Sequence, residues 1–167
     1  MRQLLACILL VFAISIYGCG VYSFTGASIA PDVKTVTIQY FQNRASIIEP
    51  TLSQKFTEKL KDKFVSQTSL RVVESNADLL FEGQISDYRT QPIAIQGDQT
   101  AAQNRLTITV NVKFSNIKDN KQNFETSFSR FADYPSDKSL NEVEQNLIEE
   151  INKQLVDDIF NKAVSNW

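Results

Sequence analysis

The sequence has no histidine, only two cysteines among its 167 residues, and five scattered glycines. The absence of histidine excludes a Ser-His-Asp triad, a Cys-His nucleophile pair and any metal site that contains histidine. The scattered glycines form no glycine-rich phosphate loop. We therefore expect no catalytic residue, no metal site and no cofactor, and we do not expect an enzyme.

One enzymatic alternative needs no histidine, because a hydrolase can act through two carboxylates. Its pair would come from four aspartates in predicted loops or at predicted strand ends, which are Asp87, Asp98, Asp133 and Asp137. Aspartate is also frequent in turns, where its side chain hydrogen-bonds to nearby backbone. We favour the turn interpretation and keep a carboxylate hydrolase as the weaker alternative.

Positive charge is in short supply as well. Lysine and arginine total 17 against 19 aspartates and glutamates, which gives a net charge of −2. A protein that binds nucleic acid carries an excess of basic residues to neutralise phosphates. We therefore expect no nucleic-acid partner.

The N-terminus consists of one basic residue followed by a long apolar run without charge. This order is typical of a secretory signal, and the run is short for a membrane span of about 20 residues. The run ends in Ile16-Tyr17-Gly18-Cys19, which resembles a bacterial lipobox. We predict that residues 1–18 are a lipoprotein signal peptide and that Cys19 receives a diacylglycerol on its thiol. An uncleaved anchor helix is the alternative.

Cleavage would leave Cys19 as the one remaining cysteine, so the exported chain would fold without an internal disulfide. Residues 19–32 contain Gly, Ser, Thr and Pro without clear periodicity and predict a lipidated tether. Residues 33–167 are long enough for a single domain with its own hydrophobic core.

Alternating apolar residues predict several strands in that domain. A first strand over 33–41 would bury Val36, Ile38 and Tyr40. The segment "LRVVE" (70–74) could form a short strand, a longer strand would cover 77–88, and the segment 89–103 would be a long connection.

The clearest strand spans 104–116, where polar and apolar residues alternate throughout. Its dry face would consist of Leu106, Ile108, Val110, Val112 and Phe114. Its wet face would carry Arg105, Thr107, Thr109, Asn111, Lys113 and Ser115. A turn over 118–122 would lead into a return strand, in which Phe131 is out of phase and suggests a bulge.

Two helices are predicted from apolar residues that recur every fourth position. The first would begin at Pro50 and bury Leu52, Phe56, Leu60 and Phe64. The second would follow Ser139, which forms a capping-box pattern with Glu142. Packing both helices on one face of a sheet gives an α+β two-layer sandwich. We expect a mixed, mostly antiparallel sheet of four to five strands, with a polar opposite face.

Four segments resemble the LptE family of outer-membrane lipoproteins, which act in lipopolysaccharide transport. They are "GCGVYSFTG" (18–26), "APDVKTVTIQYF" (30–41), "AAQNRLTITVNVKF" (101–114) and "FSRFADYPSD" (128–137). The resemblance implies a sheet with two helices on one face. It also implies a lipid-anchored protein on the periplasmic side of the outer membrane, largely within the LptD β-barrel, as plug and assembly partner.

The resemblance further implies surfaces for the barrel and for lipopolysaccharide. We expect LptD to contact the wet face through Arg105, Thr107, Thr109 and Asn111, or the connection over 90–103. Members that bind lipopolysaccharide are thought to use basic residues before the central strand and near the last helix. The segment "AIQGDQ" (94–99) has no basic residue, so charge alone nominates Arg105, Arg130 and Lys138. A generic envelope lipoprotein scaffold, or a pilotin for another outer-membrane machine, is the alternative function.

Overall fold

The computed structural model describes residues 29–93 and 102–164. The predictions for the signal peptide, Cys19 and most of the tether lie outside the described residues, as does the segment 94–101. Within the described ranges, no helix is long and apolar enough to cross a membrane.

Six strands and two helices make up the described structure. In chain order they are β1 (Thr35–Ile38), β2 (Gln42–Asn43), α1 (Leu52–Gln67), β3 (Arg71–Val72), β4 (Leu79–Ile93), β5 (Gln103–Asn116), β6 (Phe124–Pro135) and α2 (Leu140–Val164). A short 3-10 turn, Asn120–Gln122, connects β5 to β6.

The strands form one mixed sheet in the order β3-β1-β4-β5-β6, with β2 also beside β4. Strand β1 runs parallel to β3 and β4, and β2 runs parallel to β4. The long strands β4, β5 and β6 are antiparallel neighbours. The predicted α+β architecture is confirmed. The short strand within 70–74 is present as β3, and the strand count is one higher than expected because β2 is only two residues long.

The predicted dry face of β5 and the predicted helix stripes meet in a single core. The five apolar β5 residues are at most 1% exposed, and the four stripe residues of α1 are fully buried. Phe64 lies 4.9 Å from Phe81 and 5.0 Å from Phe160, measured between ring centroids. Aromatic contacts therefore connect α1 with β4 on one side and with α2 on the other.

The first strand ends earlier than predicted, and Tyr40 is 56% exposed instead of buried. The sheet edge passes from β1 to β2 at this point, and Phe41 enters the core in place of Tyr40. The Phe41 N–H donates to Thr57 Oγ1 at 3.1 Å. A Cβ on Gly83 would clash with the backbone oxygen of Asn111 and lie 2.6 Å from Phe41 Cε1, so glycine allows both the β5 backbone and this ring to approach β4.

Two further sequence expectations need correction. The predicted connection over 89–103 is shorter, because β4 continues to Ile93 and β5 already begins at Gln103. The bulge suggested by Phe131 is absent, since β5 and β6 pair without a register shift. A register shift occurs instead between Ile85 and Asp87 in β4. It changes the phase of the strand, so that Tyr88 faces the core.

Asp78 ties the start of β1 to the start of β4. Its Oδ2 accepts hydrogen bonds from Lys34 N at 2.8 Å, Thr35 N at 3.0 Å and Thr35 Oγ1 at 2.9 Å. The backbone N–H of Lys34 and the Thr35 hydroxyl lower the pKa of Asp78 from 3.8 to about 2. This carboxylate therefore fixes the place where the N-terminal segment enters the sheet.

Two adjacent substitutions test the separation of dry and wet faces. We expect Val110→Asp to destabilise the domain by more than about 4 kcal/mol, because a buried carboxylate without a partner is strongly disfavoured. Asn111 is half-exposed, and an aspartate in its place would still accept the hydrogen bond from Ser127 Oγ. Asn111→Asp should therefore change the free energy of unfolding by less than about 1 kcal/mol. Urea denaturation of both variants measures this difference, and equal losses would contradict the assigned faces.

Asp78 should make stability depend on pH in the acid range. Because the folded pKa is lowered from 3.8 to about 2, the unfolded chain binds more protons between these values. The stabilisation is fully present above the unfolded pKa and disappears as pH falls through the folded pKa. Asp78→Asn should therefore lower the urea midpoint near neutral pH, and its difference from wild type should shrink towards about pH 2. A difference that stays constant with pH would contradict this role.

Candidate partner-binding surface

The side of the sheet that faces away from the helices is formed by alternate residues of β4, β5 and β6. We call this surface the open face. Its members are Glu82, Gln84, Asp87, Arg89 and Gln91 on β4, Arg105, Thr107, Thr109, Asn111 and Lys113 on β5, and Glu125, Ser127, Ser129, Phe131 and Asp133 on β6. Except for Phe131, all of these side chains are polar or charged.

An arginine, an aspartate and an exposed aromatic ring form a cluster at one end of the open face. Arg105 makes a bidentate pair with Asp133, with Nε–Oδ1 at 2.7 Å and Nη2–Oδ2 at 2.9 Å. Its guanidinium carbon lies 3.5 Å from the ring centroid of Phe131, which is 47% exposed. The hydrogen bonds that Arg105 donates to Asp133 raise the pKa of Arg105. The cluster therefore presents a fixed cation above an aromatic surface.

Cross-strand hydrogen bonds between small side chains occupy the middle of the open face. The hydroxyls of Thr109 and Ser129 lie 3.0 Å apart, and Ser127 Oγ donates to Asn111 Oδ1 at 2.6 Å. Lys113 Nζ pairs with Glu82 at 3.4 Å across β4 and β5. These pairs hold the side chains against the sheet. The middle of the open face is therefore a polar surface of short side chains that can form further hydrogen bonds.

The four predicted contact residues for LptD all lie on the open face, but they differ in accessibility. Arg105, Thr109 and Asn111 are half-exposed. Thr107 is only 7% exposed and lies in register between Arg89 and Phe131. Thr107 therefore offers little surface to a partner.

The three basic residues nominated for lipopolysaccharide do not come together. Arg130 lies on the helix side of β6, where its Nε and Nη2 bind Asp158 of α2 at 2.5 and 2.8 Å. The hydrogen bonds that Arg130 donates to Asp158 raise the pKa of Arg130. Lys138 is exposed in the turn between β6 and α2. Arg105 and Arg130 thus lie on opposite faces of the sheet, and each already binds a carboxylate.

The aspartates considered for a hydrolase occupy separate positions. Asp87 pairs with Arg89, and Asp133 pairs with Arg105. Strand β5 lies between these two aspartates, while Asp137 is exposed in the turn after β6 and Asp98 falls outside the described residues. Across 29–93 and 102–164, no group of three or more His, Cys, Asp or Glu residues is arranged to hold a metal ion.

The contribution of β6 to the open face was missed from the sequence. Phe131 was read as out of phase with the core residues Phe124 and Phe128. It is in fact in phase with the exposed residues Ser127 and Ser129. Ser127, Ser129, Phe131 and Asp133 alternate along β6, and this alternation in the sequence could have predicted an aromatic residue on the open face.

The structure thus defines a class of protein, an open-faced α+β sandwich with two helices on one side. The sequence model of the LptE family, described as lipopolysaccharide-assembly, matches residues 33–163, so the chain belongs to this family. Family membership places it among the proteins of lipopolysaccharide assembly. None of the curated proteins compared with it by sequence matches.

Solved structures share the fold at low sequence identity. A minor lipoprotein from Acinetobacter baumannii has a TM-score of 0.55 and 14% identity, with 80% of this chain and 94% of that chain covered. A hypothetical protein from Chlamydia trachomatis has a TM-score of 0.54 and 11% identity, covering 80% and 99%. A protein from Xanthomonas campestris has a TM-score of 0.54 and 11% identity, covering 83% and 90%.

Proposed function

We propose that this protein is an outer-membrane lipoprotein of lipopolysaccharide transport that fills the LptD β-barrel as a plug and assists its assembly. It is anchored on the periplasmic side through Cys19 and acts without enzymatic activity or a cofactor. The observation that carries the proposal is the length and polarity of the open face.

The open face is long enough to line the full height of a membrane barrel. Strand β4 has 15 residues and β5 has 14. At about 3.3 Å per residue, each strand spans between about 45 and 50 Å. The hydrocarbon core of a bilayer is about 30 Å thick. A plug of this length would therefore meet the lumen wall throughout the membrane.

The chemistry of the open face also suits a barrel lumen. Lumens of outer-membrane barrels are polar and hold water, while their outer surfaces are apolar. The small hydroxyl and amide groups of Thr109, Asn111, Ser127 and Ser129 can bond to lumen side chains directly or through water. The Arg105 cluster adds one strong recognition point, because Phe131 and the guanidinium are both accessible.

The direction of the strands indicates how the plug is oriented. The N-terminal segment enters beside Asp78, at the end of the sheet where β4 begins. The end of β4 and the start of β5 lie at the opposite end. An anchor at Cys19 would hold the Asp78 end at the periplasmic side, so the last residues of β4 and the first residues of β5 would lie further along the lumen.

If the protein binds lipopolysaccharide directly, Arg105 and Arg130 cannot contact the same lipid headgroup, because they lie on opposite faces of the sheet. Among the three nominated residues, Arg105 belongs to the open face and Arg130 to the opposite face. A lipid phosphate at Arg105 would bind beside Asp133, because that carboxylate accepts only from Nε and Nη2 and leaves the other guanidinium N–H groups. Lys138 is exposed and would add charge at the same end of β6.

Two arginines with similar local bonding allow a matched test of the open face. We expect Arg105→Glu to reduce the LptD that copurifies with the protein from outer membranes, because the change reverses charge on the contact surface. Arg130→Glu breaks a similar bidentate pair on the helix side and should retain LptD. Each pair is partly exposed, so neither variant should unfold the domain, and a melting curve of each variant checks this. Equal retention by both variants would place the contact elsewhere, and wild type without LptD would favour a scaffold or pilotin.

The lipid anchor has its own test. Cys19→Ser should remove the acylated thiol and leave an unprocessed or soluble protein. Wild type should show a mass that corresponds to cleavage before Cys19 and the addition of acyl chains. More than one chain is expected, because each buried CH₂ contributes about 0.8 kcal/mol and a single chain anchors only marginally. An unacylated wild-type protein in intact-mass analysis would disprove the anchor.

A further inference from the structure

A long strand edge without a neighbour runs along β6, the last strand in the order of the sheet. This strand has 12 residues, whereas β3, at the other end of the order, has two. Within residues 29–93 and 102–164, no group hydrogen-bonds to the backbone of 124–134 from the side away from β5. Short strands, bulges, lysines and prolines protect many sheet edges from pairing with another chain. Strand β6 has neither a bulge nor a lysine, and its only proline is its last residue.

The hydrophobic core reaches the edge of β6 without being closed there. Phe114 lies 5.2 Å from Phe124, and Phe124 lies 6.4 Å from Phe128, measured between ring centroids. Phe114 is 1% exposed, whereas Phe124 and Phe128 are only half-buried. A further strand beside β6 would cover these two rings and would bond to the free backbone groups.

The wall of the proposed barrel cannot supply this strand. Every strand of a closed membrane barrel is paired on both sides, so the wall has no free strand edge. The occupant must come from a chain that has a free edge of its own. A second copy of this protein has such an edge, because it carries the same β6.

We propose that two copies of this protein pair along β6, antiparallel, with Phe128 of one copy opposite Phe128 of the other. Apolar residues then meet on the helix side of the joined sheet, and hydroxyl groups meet on its open face. The remaining facing pairs are Phe124 with Ala132, Glu125 with Phe131, Thr126 with Arg130, and Ser127 with Ser129.

Charge complementarity favours this register. Glu125 is exposed, and Lys113, the residue opposite it on β5, already pairs with a carboxylate of β4. In the pair, Glu125 faces Phe131 of the second copy, whose ring lies 3.5 Å from the Arg105 guanidinium carbon. Arg105 keeps N–H groups that Asp133 does not use. Each copy therefore offers a carboxylate to the Arg105 cluster of the other.

A shift of the register by two residues is less favourable in either direction. One shift sets Glu125 directly opposite Asp133, and like charges in facing positions are destabilising. The other shift sets Phe124 opposite Arg130, separates the two Phe128 rings and moves Glu125 away from Arg105.

The pair describes the protein outside the barrel. Its two-fold axis is perpendicular to the sheet, so both N-terminal segments reach the same bilayer when the axis lies along the membrane normal. The strands then lie flat on the membrane, whereas a plug has its strands along the lumen. The two copies must therefore separate before one of them enters LptD. The inference goes beyond the proposed plug function and does not depend on it.

Single cysteines on the open face test the register in the full-length lipoprotein, purified without LptD. Ser127→Cys and Ser129→Cys change exposed positions that face each other across the proposed pair. In either variant alone the two thiols are diagonal neighbours, about 7–8 Å apart, which is too far for a disulfide. Under mild oxidation, an equal mixture of the two variants should therefore form covalent dimers at least about tenfold faster than either variant alone. Wild type, run in parallel, measures any disulfide from Cys19.

A matched control separates pairing from random collision. Ser66→Cys is the same substitution at an exposed position on α1, and its mixture with Ser127→Cys gives the collision rate. A mixture of Ser127→Cys and Ser129→Cys that is no faster than this control would overturn the pairing along β6. Faster dimer formation by Ser127→Cys alone or by Ser129→Cys alone would overturn the register.

A second substitution tests the charge contact. Glu125→Lys, added to both cysteine variants, should slow dimer formation in the mixture, because a lysine would then face the Arg105 cluster of the second copy. An unchanged rate would overturn the contact between Glu125 and Arg105. None of these measurements involves LptD, so a failure to copurify LptD would overturn the plug function alone.

Discussion

The pairing of β4 with β5 is the constraint on which the remaining structure depends. It runs from Leu79 opposite Asn116 to Ile93 opposite Gln103, and β5 repeats the arrangement with β6. Because side chains alternate along each strand, this register assigns every residue to the core or to the open face. The helices then cover the apolar side, and the polar side stays available. A slip by one residue would exchange the two surfaces.

The sequence predicted the parts of the fold that follow from simple periodicity. The predictions of the dry face of β5 and of the apolar stripe of α1 were correct, because the alternation in β5 and the spacing by four in α1 are unbroken. The first strand was predicted too long, because exchange of β1 for β2 along one edge depends on Phe41 and Gly83, which are far apart in sequence.

The candidate site was only partly predictable, because it is completed by side chains from strands that are distant in sequence. The wet side of β5 was visible in the sequence, but the partners of its residues come from β4 and β6. Charge alone grouped Arg105 with Arg130, although register places them on opposite faces with separate carboxylates. Side-chain geometry across strands therefore decided which nominated residues share a surface.

The position of β1 between β3 and β4 has a consequence for the order of folding. Strands β4, β5 and β6 are consecutive in sequence and can pair through local connections. Strand β1 pairs with residues of β4 more than 40 positions away, and such non-local contacts form more slowly. The antiparallel ribbon would then form first, with its β4 edge open until β1 inserts. The strand nearest the N-terminus is thus the last to be fixed, so the sheet is completed by the segment that the proposed anchor at Cys19 would hold at the membrane.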